Sequence, residues 1–344
     1  MSEILDVETI AELAENPPTP PQRFRFIRPI SSVATDLVEQ IRNEEGRFQF
    51  GILEVDTMIR GLGPGELCMF TGKSHSAKTQ VLLNAVANNP QARILWITPD
   101  EVGELVAMKL VAITEQVKPA KLEDDLQNGD EAAAELIDRV VATKFPNLIV
   151  VDDTVDADQM NVAITEARAH WGADPDLVVF DYLELMPSDG DSTGVPSNAK
   201  ALKALAKDQK VPLVVVHQAS RSGGKRGQAA GIDGMRYGGE AESTVVVECF
   251  RRMDDESLSE YDRAQQAHVV TVNVAKNKRP PCNKGMIDLY IHPDYGFVRS
   301  MKAGDKGTPR EFETPSFERT GRSQSELIDQ IRAAREQGPQ HDAF

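Results

Sequence analysis

The sequence predicts an α/β fold, a three-layer sandwich in which helices flank a mostly parallel central sheet. Three observations carry that expectation. From Gly51 onward, short apolar runs alternate with helical patterns, as in βαβ units. Several runs, such as Leu177-Val178-Val179-Phe180, are apolar at every position, the form of a strand buried on both faces. The runs stop at polar residues, where open α/β sheets bind ligands at the carboxyl rim.

Taken in order, residues 1–30 form an acidic arm punctuated by Pro17-Pro18-Thr19-Pro20-Pro21, which cannot continue a helix. Residues 31–50 hold a linker helix. Ser32 can cap it, and Val33, Leu37 and Ile41 recur on one face, which must bury either on its own domain or on a neighbouring subunit. Residues 51–302 form the main domain. Strands are expected at 67–71, 94–98, 148–151, 177–181, 213–217, 244–249, 269–274 and 286–291, and helices at 78–87, 103–115, 131–141, 157–170 and 198–207. Residues 303–344 form a flexible tail in which Ser323-Gln324-Ser325-Glu326 is a capping-box pattern opening a short helix.

Composition narrows the function. A chain of 344 residues with 40% hydrophobic content suits one large soluble domain. No apolar run reaches the roughly 18 residues of a membrane span. The first fifteen residues carry acids but no Lys or Arg, the reverse of a presequence, so a cytoplasmic setting is expected. Cys68, Cys249 and Cys282 are too scattered for a disulfide framework or a zinc site, and the histidines form no ligand spacing. The net charge of −16 opposes nucleic-acid binding, but the charge is unevenly distributed. Between Lys200 and Arg236 eight basic residues face only Asp208 and Asp233, and Asn273 to Gly285 adds Lys276, Lys278, Arg279 and Lys284 without an acid.

Gly72-Lys73-Ser74-His75-Ser76-Ala77-Lys78-Thr79 follows an expected strand and opens an expected helix, the context a phosphate-binding loop requires. Its backbone N–H groups, continuing to Gln80, would surround the phosphates of ATP at a helix N-terminus. Lys78 would neutralise the β- and γ-phosphates, and Thr79 would hold Mg²⁺. Ala77 stands where such loops usually carry a second glycine, so the loop must keep a conformation that alanine tolerates. Asp181, closing the run 177–181, is the second expected Mg²⁺ ligand. Either Asp100 or Glu101, after the apolar run 94–97, could orient the attacking water. Gln218, after Leu213-Val214-Val215-Val216-His217, can sense a γ-phosphate. It directly precedes the basic, glycine-rich segment of Arg221, Lys225, Arg226 and Arg236, the expected DNA contacts.

In this order the elements resemble the motor domain of DnaB-type replicative helicases, within the RecA-like superfamily. The resemblance runs from about Gly51 to Val298 and includes Asp181-Tyr182-Leu183-Glu184-Leu185-Met186, with Glu184 where an amide is usual, and His217-Gln218-Ala219-Ser220-Arg221-Ser222. It implies a RecA-like ATPase motor across 51–302, a hexameric ring acting on single-stranded DNA, and ATP sites between subunits, each completed by a basic finger from a neighbour. Ala275-Lys276-Asn277-Lys278-Arg279 is similar to that finger segment. The family's basic spacing falls on Lys276 and Lys278; a planar guanidinium is the better charge clamp, which favours Arg279 with Lys276 assisting. The family's collar domain, which binds primase, does not fit into the fifty residues before Gly51, so primase docking is not expected. An ATP-dependent DNA helicase or translocase is the expected function. A RecA-type recombinase filament and a non-hydrolysing nucleotide-dependent scaffold or helicase loader are the alternatives.

Overall fold

The computed structural model describes residues 28–42, 46–187, 194–218, 227–229 and 239–305. The chain divides into two units, Met1–Glu44 and Glu45–Phe344. In the first, helix α1 (Ile30–Arg42) begins directly after Pro29, whose carbonyl accepts from the Val33 N–H at 3.2 Å. Ser32 therefore lies inside the first turn and is not its cap. Ile30, Leu37, Val38 and Ile41 are exposed, so the helix is amphipathic with a solvent-facing apolar side. The tail beyond 305, with its capping-box pattern, lies outside the described residues.

The second unit is built on a nine-stranded sheet: β1 (Leu67–Gly72), β2 (Ile94–Ile97), β3 (Leu148–Val151), β4 (Leu177–Phe180), β5 (Leu213–Gln218), β6 (Val245–Phe250), β7 (Val269–Asn277), β8 (Gly285–Ile291) and β9 (Val298–Ser300). Their order is β3-β2-β4-β5-β1-β6-β7-β8-β9. The first six pair in parallel, and β7, β8 and β9 follow as antiparallel neighbours. β7 runs three residues beyond its expected end, taking in Lys276, and the three-residue β9 was not expected.

Helices cover both faces. On one lie α2 (Leu53–Ile59), α3 (Lys78–Asn88), α4 (Gly103–Glu115), α5 (Pro119–Gln127) and α6 (Glu131–Lys144), which share a core with Phe70, Trp96 and Val247. On the other, α7 (Ala157–Trp171) and α8 (Gly194–Gln209) bury Met160, Ile164, Leu202 and Ala206 against Met69, Val178 and Val215. A short α9 (Glu260–Gln265) precedes β7. The three-layer sandwich is as expected; α2, α5 and α9 are additions. The core also takes in Phe48 and Phe50, ahead of the expected domain start at 51. Buried Asp56 explains how the chain enters there: its carboxylate accepts the N–H groups of Phe50, Gly51 and Ile52 at 2.7, 2.8 and 3.2 Å. Among the described residues no helix is long and apolar enough to cross a membrane.

Candidate nucleotide site

β1 is central, and the loop at its carboxyl end carries the site. Gly72 has φ +154°, and a Cβ there would collide with the Cys249 carbonyl and the Ser76 hydroxyl, so the loop must begin with glycine. His75 and Ala77 also have positive φ, 63° and 68°. Ala77 thus takes the left-handed conformation that a glycine holds without strain. It precedes α3 with no side-chain cap, which leaves the helix's first N–H groups to an anion. Ser74 and His75 are exposed, Lys73 is half-buried, and Ser76 is buried with its Oγ unpartnered among the described residues.

Lys78 is buried and donates to the Gly72 and Lys73 carbonyls, each at 2.9 Å. Burial pushes its ammonium below the usual range, while Cys249, Asp181 and Glu184 oppose that shift. One residue on, Thr79 Oγ1 donates to Asp181 Oδ2 at 2.7 Å, joining the phosphate-loop helix to the end of β4 across 102 positions of sequence. Asp181 is held to the end of β2 by its N–H, which donates to Ile97 O at 2.9 Å. Its pKa rises from 3.8 to about 6, chiefly through burial; the Thr79 bond and Lys78 pull it down, and Glu101 and Asp100 push it up. The phosphate loop, Asp181 and the two acids after β2 therefore meet at one rim.

Asp100 and Glu101 are now distinguished. Glu101 is half-buried in an ion pair with Lys109, whereas Asp100 is exposed and, among the described residues, has no side-chain partner. Gln218 ends β5, which β4 separates from β2, and its N–H donates to Glu184 Oε1 at 2.8 Å. The same oxygen lies 2.6 Å from Nδ1 of fully buried His217. Neither imidazole nitrogen has a well-aligned hydrogen bond among the described residues, so that contact is a close approach and not a directed bond. Glu184 was legible only as a departure from the usual amide, and its grip on the sensor strand had no local signal.

The Gln80 side chain donates to Gly296 O at 2.9 Å, in the turn between β8 and β9, a bond that leaves the expectation for its backbone N–H untouched. One expectation needs correction. Arg279 is not a free finger. Its guanidinium is buried, paired with both oxygens of Glu66 and bonded to the Ile59 and Gly61 carbonyls. The preference for a guanidinium rested on residue type alone, and the carboxylate of Glu66 claims it. Lys276 and Lys278 rest on backbone oxygens instead, Lys278 donating to Ala241 O at 3.0 Å and Lys276 to Glu240 and Ala241. Arg221, Lys225, Arg226 and Arg236 lie outside the described residues.

The donor set fits a magnesium-bound triphosphate. Thr79 and Asp181 offer two hard oxygens beside a loop that ends at a helix N-terminus. Among the described residues there is no cluster of three or more His, Cys, Asp or Glu that could hold a metal ion.

The profile of the DnaB-like helicase C terminal domain matches residues 48–296. The replicative DNA helicase DnaB of Haemophilus influenzae is 24% identical over 293 residues, covering 81% of this chain and 61% of that protein. The replicative DNA helicase DnaC of Bacillus subtilis is 22% identical over 317 residues, covering 88% and 68%. This chain thus spans about three fifths of the Haemophilus relative. Among solved structures, an isolated ATPase domain matches with a TM-score of 0.68 at 16% identity, covering 80% of this chain and all of that one. A DnaB-like replicative helicase, described with its interactions with primase, matches with a TM-score of 0.65 at 16% identity, covering 86% and 71%. These structural likenesses establish the fold. Primase is a partner named for that neighbour, and its interaction gives no support to the expectation that primase docking is absent.

Proposed function

Because the chain belongs to the DnaB-like helicase C-terminal domain family, we propose that it is an ATP-hydrolysing motor that translocates on single-stranded DNA and separates duplex strands. The observation that carries this reading is the 2.7 Å bond between Thr79 and Asp181 beside the phosphate loop. Thr79 and Asp181 would hold Mg²⁺, which, when bound with ATP, neutralises charge developing on the transferred phosphoryl group. Lys78 holds a positive charge at the β- and γ-phosphates. Asp100, the acid of its pair that Lys109 leaves free, orients the attacking water, and Gln218, directly before the basic segment in sequence, hydrogen-bonds the γ-phosphate.

The topology supports a site shared between copies. β7 is antiparallel to β6, and Lys276 pairs with Val246, near the amino-terminal start of β6, while the phosphate loop leaves the carboxyl end of β1. Lys278 N bonds to Thr244 O, level with the first residue of β1. Five or so residues of strand separate the two rims, about 17 Å at 3.3–3.4 Å per residue, beyond the reach of a lysine. These cations serve a site only if it belongs to another copy, so Lys276 and Lys278 take the finger role. The exposed apolar side of α1 is the surface that a second copy would bury in such a ring.

The test is ATPase activity of the wild-type chain and Lys78→Ala, with and without single-stranded DNA, followed by strand displacement. DNA-stimulated hydrolysis lost in Lys78→Ala is expected. Nucleotide binding with no turnover would return the scaffold reading, and strand exchange without displacement the recombinase.

A further inference from the structure

The segment joining α2 to β1 and the connection after β7 are far apart in sequence, yet one side chain fastens them. Arg279 Nε donates to Glu66 Oε1 at 2.9 Å, a terminal nitrogen to Glu66 Oε2, and the other terminal nitrogen to the carbonyls of Ile59 and Gly61. Glu66 is itself fixed, since its Oε2 also accepts from Arg47 at 3.0 Å and from the Gly63 N–H at 2.5 Å. Asn277, two residues earlier, donates to Met58 O at 3.2 Å and accepts the Arg279 N–H at 3.0 Å. Lys278 therefore stands between two anchored neighbours, and Lys276 directly precedes the first. A planar fork that satisfies a carboxylate and two carbonyls at once fixes orientation as well as distance, which an ammonium cannot do.

We propose that Arg279 is a positioning residue: by locking the end of β7 onto Glu66 and the α2–β1 segment, it sets where Lys276 and Lys278 project toward a neighbouring copy's nucleotide. This rests on the shared-site reading above. A cation displaced by about 1 Å from a developing charge can lose on the order of a hundredfold in rate, so a buried brace at the root of a finger acts on turnover without touching ATP.

The experiment compares Arg279→Ala, Arg279→Lys and the double variant Lys276→Ala/Lys278→Ala, each alone and mixed in equal amounts with Lys78→Ala. For Arg279→Ala, kcat should fall at least about tenfold with KM for ATP within about twofold, the signature of a lost transition-state interaction. Arg279→Lys should stay well below wild type, because it cannot rebuild the fork. Mixing Arg279→Ala with Lys78→Ala should restore turnover above either alone, since Lys78→Ala copies bring correctly held lysines to intact phosphate loops. Wild-type kcat in Arg279→Ala would overturn the proposal, as would a loss that no mixture restores, which would make the brace a requirement of the subunit's own fold. Wild-type activity in the double lysine variant would instead remove the shared-site reading.

Discussion

Ala77 holds φ 68° and ψ 22° at the mouth of the phosphate loop, a conformation in which its methyl group crowds the following carbonyl. The expectation that the loop keeps a shape alanine readily tolerates is overturned, since Ala77 takes the glycine-like left-handed conformation and carries its strain. Ala77→Gly should therefore raise stability by about 0.5–1 kcal/mol, the relief of left-handed strain partly offset by the freer unfolded chain. Thermal melting of the ligand-free protein checks this; an unchanged or lower midpoint would mean that the methyl group packs well enough to compensate. Asp181 gives a second test at this scale. Its folded pKa of about 6 exceeds its ordinary 3.8, so between those values the folded state binds more protons than the unfolded one, and stability falls as pH rises through that window. Asp181→Asn should flatten that fall and stabilise the ligand-free protein above pH 6 by roughly 1–3 kcal/mol, while losing Mg²⁺-dependent hydrolysis. Chemical denaturation between pH 4 and 8 in both proteins decides it; parallel curves would show that Asp181 titrates elsewhere. The carboxylate is thus an example of stability given up at a site built to receive a cation.

Between elements, α3 is tied to the sheet's last hairpin by Asn84, which is fully buried. Its Nδ2 donates to Gln80 O and Gly296 O, each at 2.8 Å, and its Oδ1 accepts the Val298 N–H at 2.8 Å. Asn84→Ala leaves the buried Val298 N–H unpaired and should cost about 1–3 kcal/mol, read as a lower urea midpoint with an unchanged slope; a shift under about 0.5 kcal/mol would mean that water replaces the amide. No local pattern marks Asn84, because a buried polar residue on a helix looks like any other polar position until its partners, some 212 residues away, are in place. The same limit explains what else sequence left unread. β2, β3 and β4 fall within a residue of their expected ends because both faces are covered and the apolar run itself marks the strand. α5 buries only Leu122 and α9 buries nothing, so neither has a helical period to detect. The meeting of Thr79 and Asp181 was legible because the loop pattern and the end of the apolar run mark each position locally. Arg279 was misread because its role depends on Glu66, 213 positions earlier.

At the scale of the whole chain, a net charge of −16 must be reconciled with the polyanionic partner proposed above. The two rims of the sheet suggest how. The carboxyl rim concentrates Asp100, Glu101 and Asp181 around the proposed cation and triphosphate site, and the sequence that follows Gln218 carries the basic residues. If Arg221, Lys225, Arg226 and Arg236 each meet one phosphate, displacement of counterions from single-stranded DNA should give a slope of about −3 for log K against log salt, near −0.7 per contact. Affinity measured by fluorescence anisotropy should then weaken about fiftyfold between 50 and 200 mM salt. Lys225→Ala/Arg226→Ala should reduce the slope by about 1.4 while leaving DNA-independent ATP turnover near that of wild type, because neither residue belongs to the nucleotide site. The acidic remainder of the molecule contributes repulsion, which salt screens, so it can only make the observed slope shallower than the count of contacts implies. A slope near zero would therefore place these four cations away from the phosphates, and a slope unchanged in the double variant would shift the contact to Lys200, Lys207 or another basic face.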